Sequence, residues 1–222
     1  MPGLRAPTRD TCAIDLRLAM LSRHRIVMQF PIQIAFKLLA ITPQMYVRDA
    51  AGGNLGYVRQ KLLAFKEKVT VFADDTQAKA IYTIGADRVI DFNAEYHFAN
   101  ADGVRLGSAK RSGMRSLWKA HYVINIGGQE TFEVHEESAL VRLIDGLIGE
   151  IPFVGFLTGY FLNPVYLITR VGSGAPALRM VKQRAFLESL FTIESKADMT
   201  NAEQEAAMLG LMMIILLERS RG

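Results

Sequence analysis

A chain of 222 residues, 50% hydrophobic and 22% charged, can bury a core without covalent staples, and its composition excludes a disordered polar protein. Its single cysteine, Cys12, excludes an intramolecular disulfide and fits a reducing, cytoplasmic compartment. The formal net charge of +4 and the pI near 9.2 invite a nucleic-acid or membrane partner. The charge is unevenly placed, however: Arg5, Arg9, Arg17, Arg23 and Arg25 stand against Asp10 and Asp15 in residues 1–27. The body of the chain is close to neutral, so the basic pI says little about its partners.

Residues 1–27 read as a basic leader. Their apolar stretch is interrupted by Asp15 and Arg17, which argues against a secretory signal. The leader is expected to be a disordered extension, or to precede a true start at Met20 or Met28. A single domain is expected over 28–222.

From Tyr46 onward a pattern recurs. Three segments, opening at Tyr46, Tyr96 and Tyr166, each run from a strand-like stretch through a glycine turn into a second such stretch. The turns carry Gly52-Gly53-Asn54, Asp102-Gly103 and the Gly172/Gly174 pair, and Asp-Gly is a strong hairpin signal. Basic residues follow each turn: Arg59 and Lys61, Lys110 and Arg111, Arg179 and Lys182. Further alternating stretches follow at 69–72, 121–124 and 190–193, then at 80–84 and 131–135. Four short strands per unit, with turns about every 8 to 12 residues, predict an all-β sandwich or barrel of about twelve strands.

Two segments depart from this pattern. Residues 140–163 are apolar and glycine-rich but contain Asp145, Glu150 and Pro152, which argue against a membrane helix despite the Gly155/Gly159 spacing. They read as a connector packed over the barrel. Interfacial membrane contact through Phe153, Phe156, Leu157 and Phe161 is the sharper alternative. At the C-terminus, Thr200 and Glu203 form a capping-box pattern before the uncharged run 206–217, which predicts a helix over about 203–218. Twelve residues rise only about 18 Å, too little to cross a bilayer. A helix apolar on every face must be buried on every face, and the middle of a closed sheet meets that need.

Residues 46–222 resemble the tubby C-terminal-like superfamily, most of all its LURP-one-related and phospholipid scramblase-like branch and the bacterial relatives of that branch. The resemblance is carried by the strand–glycine–strand units opening at Tyr46 and Tyr96, by Arg111-Ser-Gly-Met-Arg-Ser-Leu-Trp118, and by the apolar helix ending at 217–222. It implies an all-β fold with one buried helix: a twelve-stranded antiparallel closed barrel around a hydrophobic C-terminal helix. Tubby proteins bind phosphoinositides, scramblases are credited with moving lipids, and the plant branch is linked to defence. The resemblance therefore implies a role at membranes. The scramblases' proline- and cysteine-rich N-terminal region has no counterpart here.

The residues themselves offer little catalytic chemistry. Gly172-Ser-Gly174-Ala-Pro-Ala177 fits a dinucleotide-binding fingerprint, but a strand follows it where a helix would have to begin, so it is expected to be a hairpin. His24, His97, His121 and His135 lack metal-ligand spacing, and Ser108, Ser112 and Ser116 lie in no nucleophile-elbow context. Glu130, Glu133, Glu136 and Glu137 read as a solvated acidic stretch. No cofactor, metal or catalytic group is expected. Residues 104–122 hold Arg105, Lys110, Arg111, Arg115 and Lys119 without an acid. With Lys61 and Lys182 they are the candidate contacts for anionic lipid, and Phe153, Phe156 and Phe161 the candidate apolar contacts. The leading expectation is a non-enzymatic binding module, peripheral to a membrane and not spanning it, that recognises anionic phospholipid headgroups through a basic barrel face. The alternative is an intracellular scaffold or partner-binding protein using the connector 146–162. An enzyme working at the barrel mouth is a third reading. A nucleic-acid partner is not expected, and the oligomeric state is left open.

Overall fold

Ile32, Ile34 and Phe36 are buried while Gln33 and Lys37 between and beside them are exposed. That period of two makes β1 (Ile32–Lys37) a half-buried strand. The chain then runs through β2 (Gln44–Arg48), β3 (Asn54–Arg59), in which Leu55, Gly56, Tyr57 and Val58 are all buried, β4 (Val69–Phe72), β5 (Ala80–Ala86) and β6 (Glu95–Asn100). It continues through β7 (Arg105–Arg111), β8 (His121–Ile126), β9 (Gln129–Glu136), β10 (Val165–Arg170), β11 (Pro176–Gln183) and β12 (Glu188–Ser195). The structure, a computed structural model, describes residues 28–37, 44–59, 68–87, 94–111, 121–137, 165–183 and 188–219. The leader 1–27 and the connector 140–163 lie outside them.

Each strand pairs antiparallel with its neighbours in sequence, and β1 closes the ring on β12, with Ile34 opposite Phe191. The twelve-stranded antiparallel closed barrel is the observed fold, and its thinnest seam is β3–β4, joined at Tyr57 opposite Phe72. The three repeats map onto β2–β5, β6–β9 and β10–β12, with β1 supplying the fourth strand of the last unit. The repeat reading missed β1, although Ile32, Ile34 and Phe36 carry its signal. The opening tyrosines are also not equivalent. Tyr96 and Tyr166 pack toward the core, whereas Met45 and Val47 fill the interior of β2 and turn Tyr46 outward. A shift of one residue is enough to exchange the faces.

Gly103 has φ +79°, and Gly172 and Gly174 have φ +86° and +65°, which glycine alone adopts without strain. The Gly172/Gly174 pair turns β10 into β11 and is the expected hairpin.

The interior is filled by α1 (Asn201–Arg219), about 28 Å long at 1.5 Å per residue. Thr200 caps it as predicted: Glu203 N donates to Thr200 Oγ1 at 3.3 Å, and Thr200 N donates back to Glu203 Oε2 at 2.7 Å. Arg170, at the end of β10, bonds the same carboxylate, donates to Asp198 O at 3.0 Å, and lies over the Phe132 ring at 5.4 Å. Residues 206–216 of α1 are buried on every face. Small residues set its closest approach to the wall. A methyl group on Gly210 would meet Ile124 Cδ1 at 2.7 Å, and one on Gly107 would meet Asn125 O at 2.5 Å and Ala206 Cβ at 3.4 Å.

Because the strands alternate in direction, the barrel has two unlike ends. The five hairpins β2–β3, β4–β5, β6–β7, β8–β9 and β10–β11 leave at one end, where α1 also enters. The other connections join the strands at the opposite end, toward which α1 runs. These are the hairpin end and the connection end below.

Candidate functional site

The basic residues singled out from the sequence separate on the structure. Arg105 and Lys110 lie five steps apart on β7, about 17 Å along a strand. Arg105 starts from the hairpin end and is taken up on the outer wall: its Nη2 lies 2.6 Å from His97 Nδ1 and 3.8 Å from Glu95 Oε1. Lys110 and Arg111 end β7 at the connection end. Lys110 is exposed and outward. Arg111 sits opposite the buried Tyr122 and so shares the inward phase of its strand. Lys182 reaches the same end on β11 and is also in inward phase, opposite the buried Phe191. Lys61, Arg115, Lys119, Phe153, Phe156 and Phe161 lie outside the described residues.

Three further cations join Lys110, Arg111 and Lys182 at the connection end: Lys37 at the end of β1, Arg59 at the end of β3, and Lys68 just before β4. The repeat-by-repeat reading did not combine them, because a residue's place on a rim depends on strand direction, which composition does not carry. None of the six forms an ion pair among the described residues. Lys37 Nζ lies 4.9 Å from the centre of the Tyr46 ring, which leaves its positive charge uncompensated.

The acids at this end are Asp87, Glu95, Glu136, Glu137 and Glu188, the last opposite Lys37 in the β1–β12 register. Glu137 pairs with Arg179 at 3.3 Å. Glu95 accepts from Ser108 Oγ, and Asp87 Oδ1 accepts Glu95 N at 3.0 Å. The hairpin end carries Asp49, Asp74, Asp75, Asp102, Glu130 and Asp198 in or beside its turns, where Asp49 accepts Gly53 N at 2.7 Å and Asp74 accepts Thr76 N at 3.0 Å. Of its cations, Arg170 is bound to Glu203 and Lys196 to Glu194 at 2.7 Å, and Arg48 lies over the Tyr46 ring at 5.5 Å.

A second polar group lies on the outer wall of β6–β9. Ser108, only 2% exposed, donates to Glu95 and accepts from Asn125 Nδ2 at 3.3 Å, and Asn125 Oδ1 is buried without a partner. Its inaccessibility makes Ser108 a structural hydroxyl, not a nucleophile. His121 Nε2 lies 3.7 Å from Glu133 Oε2, and His135 stands opposite His121. Burial, and then the neighbouring His121, push His135 below the ordinary histidine range. Among the described residues no group of three or more histidine, cysteine or acidic side chains is arranged to hold a metal ion.

No family model matches the chain, and no curated protein matches it. Among solved structures, the chain is similar to a protein from Arabidopsis thaliana determined by X-ray crystallography. The two are 14% identical, the match covers 86% of this chain and 92% of that one, and the TM-score is 0.46.

Proposed function

We propose that the protein is a non-enzymatic binding module that recognises anionic phospholipid headgroups, as the tubby/LURP resemblance would imply. One observation carries the reading. Arg105, Arg170, Arg179 and Lys196 elsewhere on the barrel each lie within ion-pair distance of an acid, whereas Lys37, Arg59, Lys68, Lys110, Arg111 and Lys182 gather at one end and none forms an ion pair among the residues whose side chains are described. Positive charge without an internal partner is free to act on an external anion, and each such residue near an anionic bilayer contributes about 1 kcal/mol. Among the described residues, α1 and the inward strand residues between the two ends fill the interior with mainly apolar side chains.

Vesicle flotation tests the reading. Binding to vesicles containing phosphatidylserine or a phosphoinositide, weakening steeply with salt, is the expected result. Lys110→Glu with Arg111→Glu should reduce it by about tenfold or more. Salt-independent binding, or full binding by the double variant with an unchanged circular dichroism spectrum, would overturn it.

A further inference from the structure

We propose that His97 is a proton-operated latch on the outer wall: neutral, it holds the Arg105 guanidinium against the barrel, and protonated, it lets that cation go. The inference is independent of the headgroup reading above.

Strand phase places the pair. Phe98 has no accessible surface and Tyr96 packs toward the core, so His97 between them faces outward from β6. It stands opposite Ser108 on β7, and Arg105 reaches it from the start of the same strand, beyond the register shift at Phe98/Ala99. Arg105 Nη2 lies 2.6 Å from His97 Nδ1. A guanidinium has donors only and stays charged at any ordinary pH. His97 Nδ1 is therefore the acceptor, which fixes the ring as the neutral tautomer with its proton on Nε2.

Protonation breaks this contact in two ways. Nδ1 becomes a donor facing a donor, and two positive charges meet at hydrogen-bond distance. The same place offers the imidazolium a substitute. Glu95 Oε1 lies 3.8 Å from both His97 Nδ1 and Arg105 Nη2, so the two cations compete for one carboxylate, which Ser108 Oγ already engages. His97 is held close to its backbone by a short side chain, whereas Arg105 is 63% exposed on a long one. Arg105 is the group that moves into water.

The described groups around the ring leave this competition to Glu95. From β5, Gly85 stands opposite His97 and brings no side chain, and Asp87 lies beside Glu95, where its Oδ1 accepts Glu95 N at 3.0 Å. From β7 come Ser108, opposite His97, and Lys110, opposite Glu95. From β8, Asn125 stands opposite Ser108. With His97 neutral, Glu95 and Asp87 balance Arg105 and Lys110. A proton on His97 tips this stretch of wall positive and frees Arg105 for an external anion. Histidine changes charge in the range of about pH 5 to 8, so modest acidification is enough to work the latch.

Nuclear magnetic resonance of the full chain labelled with nitrogen-15 tests the proposal. At about pH 8 the His97 ring shifts should show a proton on Nε2 and none on Nδ1. On acidification to about pH 5, the Arg105 Nε resonance should move to the position of a free arginine, in step with the His97 ring shifts. His97→Gln keeps an oxygen that accepts from Arg105 but does not titrate, and it should abolish the Arg105 step. A proton on Nδ1 at the higher pH, or an Arg105 resonance that stays in place while His97 titrates, overturns the latch. So does a step that persists in His97→Gln, which would belong to Glu95 or Asp87. The tautomer and the coincidence of the two shifts are read on the unmodified chain, so the test holds whether or not the variant folds.

Discussion

Glu203 and Glu205 stand two residues apart at the start of α1 and meet opposite environments. The hydrogen bond from Arg170 is the main reason the Glu203 carboxyl is held below the usual range, and its bonds with Thr200 add to the effect. Glu205 points to the wall, where Tyr82 Oη donates to its Oε1 at 3.0 Å. Burial raises its carboxyl above the usual range, and the Tyr82 hydrogen bond only partly offsets this.

The Glu205 environment predicts a pH trend. Above the unfolded value, the native state keeps a proton that the unfolded chain has already released, so this group's stabilising contribution falls as pH rises through the folded value. Glu205→Gln keeps an acceptor for Tyr82 and removes the titration. The variant should gain stability relative to the unmodified chain as pH rises from about 4 to 7, measured by urea unfolding at several pH values. A pH-independent difference would show that Glu205 is not titrating in this range.

Glu203 predicts the reverse. A depressed carboxyl contributes stability above its unfolded value and loses it as pH falls through the folded one. Arg170→Met should therefore cost stability at pH 7 and much less in strong acid. Thr200→Ala should cost about 1 kcal/mol, as removal of a helix cap does. The two losses should not add, because both substitutions act on one carboxylate, and a double-mutant cycle reads the shortfall.

The seam between helix and wall predicts a ranking. Gly210→Ala improves helix propensity by about 1 kcal/mol but pushes a methyl group onto Ile124 Cδ1, the end of a side chain with no accessible surface. Gly107→Ala presses against a backbone carbonyl held in the β7–β8 ladder. Gly107→Ala should thus be the more destabilising by about 1 kcal/mol or more, and Ile124→Val should rescue part of the Gly210→Ala loss but none of the Gly107→Ala loss. Thermal unfolding of the four variants decides the order.

The outer network predicts a contrast between neighbours on β7. Ser108→Ala leaves the Asn125 amide without its remaining partner and should cost about 1 to 2 kcal/mol. Arg105→Ala removes a side chain that is 63% exposed and should change stability by less than about 0.5 kcal/mol. Chemical denaturation of both variants tests the difference.

Local features were legible from the residues because their causes are local. The Asp102-Gly103 and Gly172/Gly174 turns, the Thr200/Glu203 cap and the charge-free helix each depend on neighbours a few residues away. What escaped depends on partners far along the chain. β1 has no hairpin to announce it, since its closing partner β12 lies more than 150 residues later. The outward turn of Tyr46 follows from Met45 and Val47 taking the interior, which repeat spacing cannot reveal. The five cations of 104–122 read as one basic run, yet strand geometry sends Arg105 to an internal partner and Lys110 to the opposite end. The grouping of Lys37, Arg59 and Lys68 with them exists only once strand directions are known.

The pairing of β1 with β12 also sets an order of events during synthesis. The ring cannot shut until the chain has been made as far as Ser195, and the helix that fills it is made later still. A chain ending at that point would hold all twelve strands around an apolar void, with no wall-to-wall contact able to replace the missing helix. Truncations a short way into α1 should therefore yield aggregates and not smaller barrels, and the ribosome must release nearly the whole chain before any of it is safe from self-association.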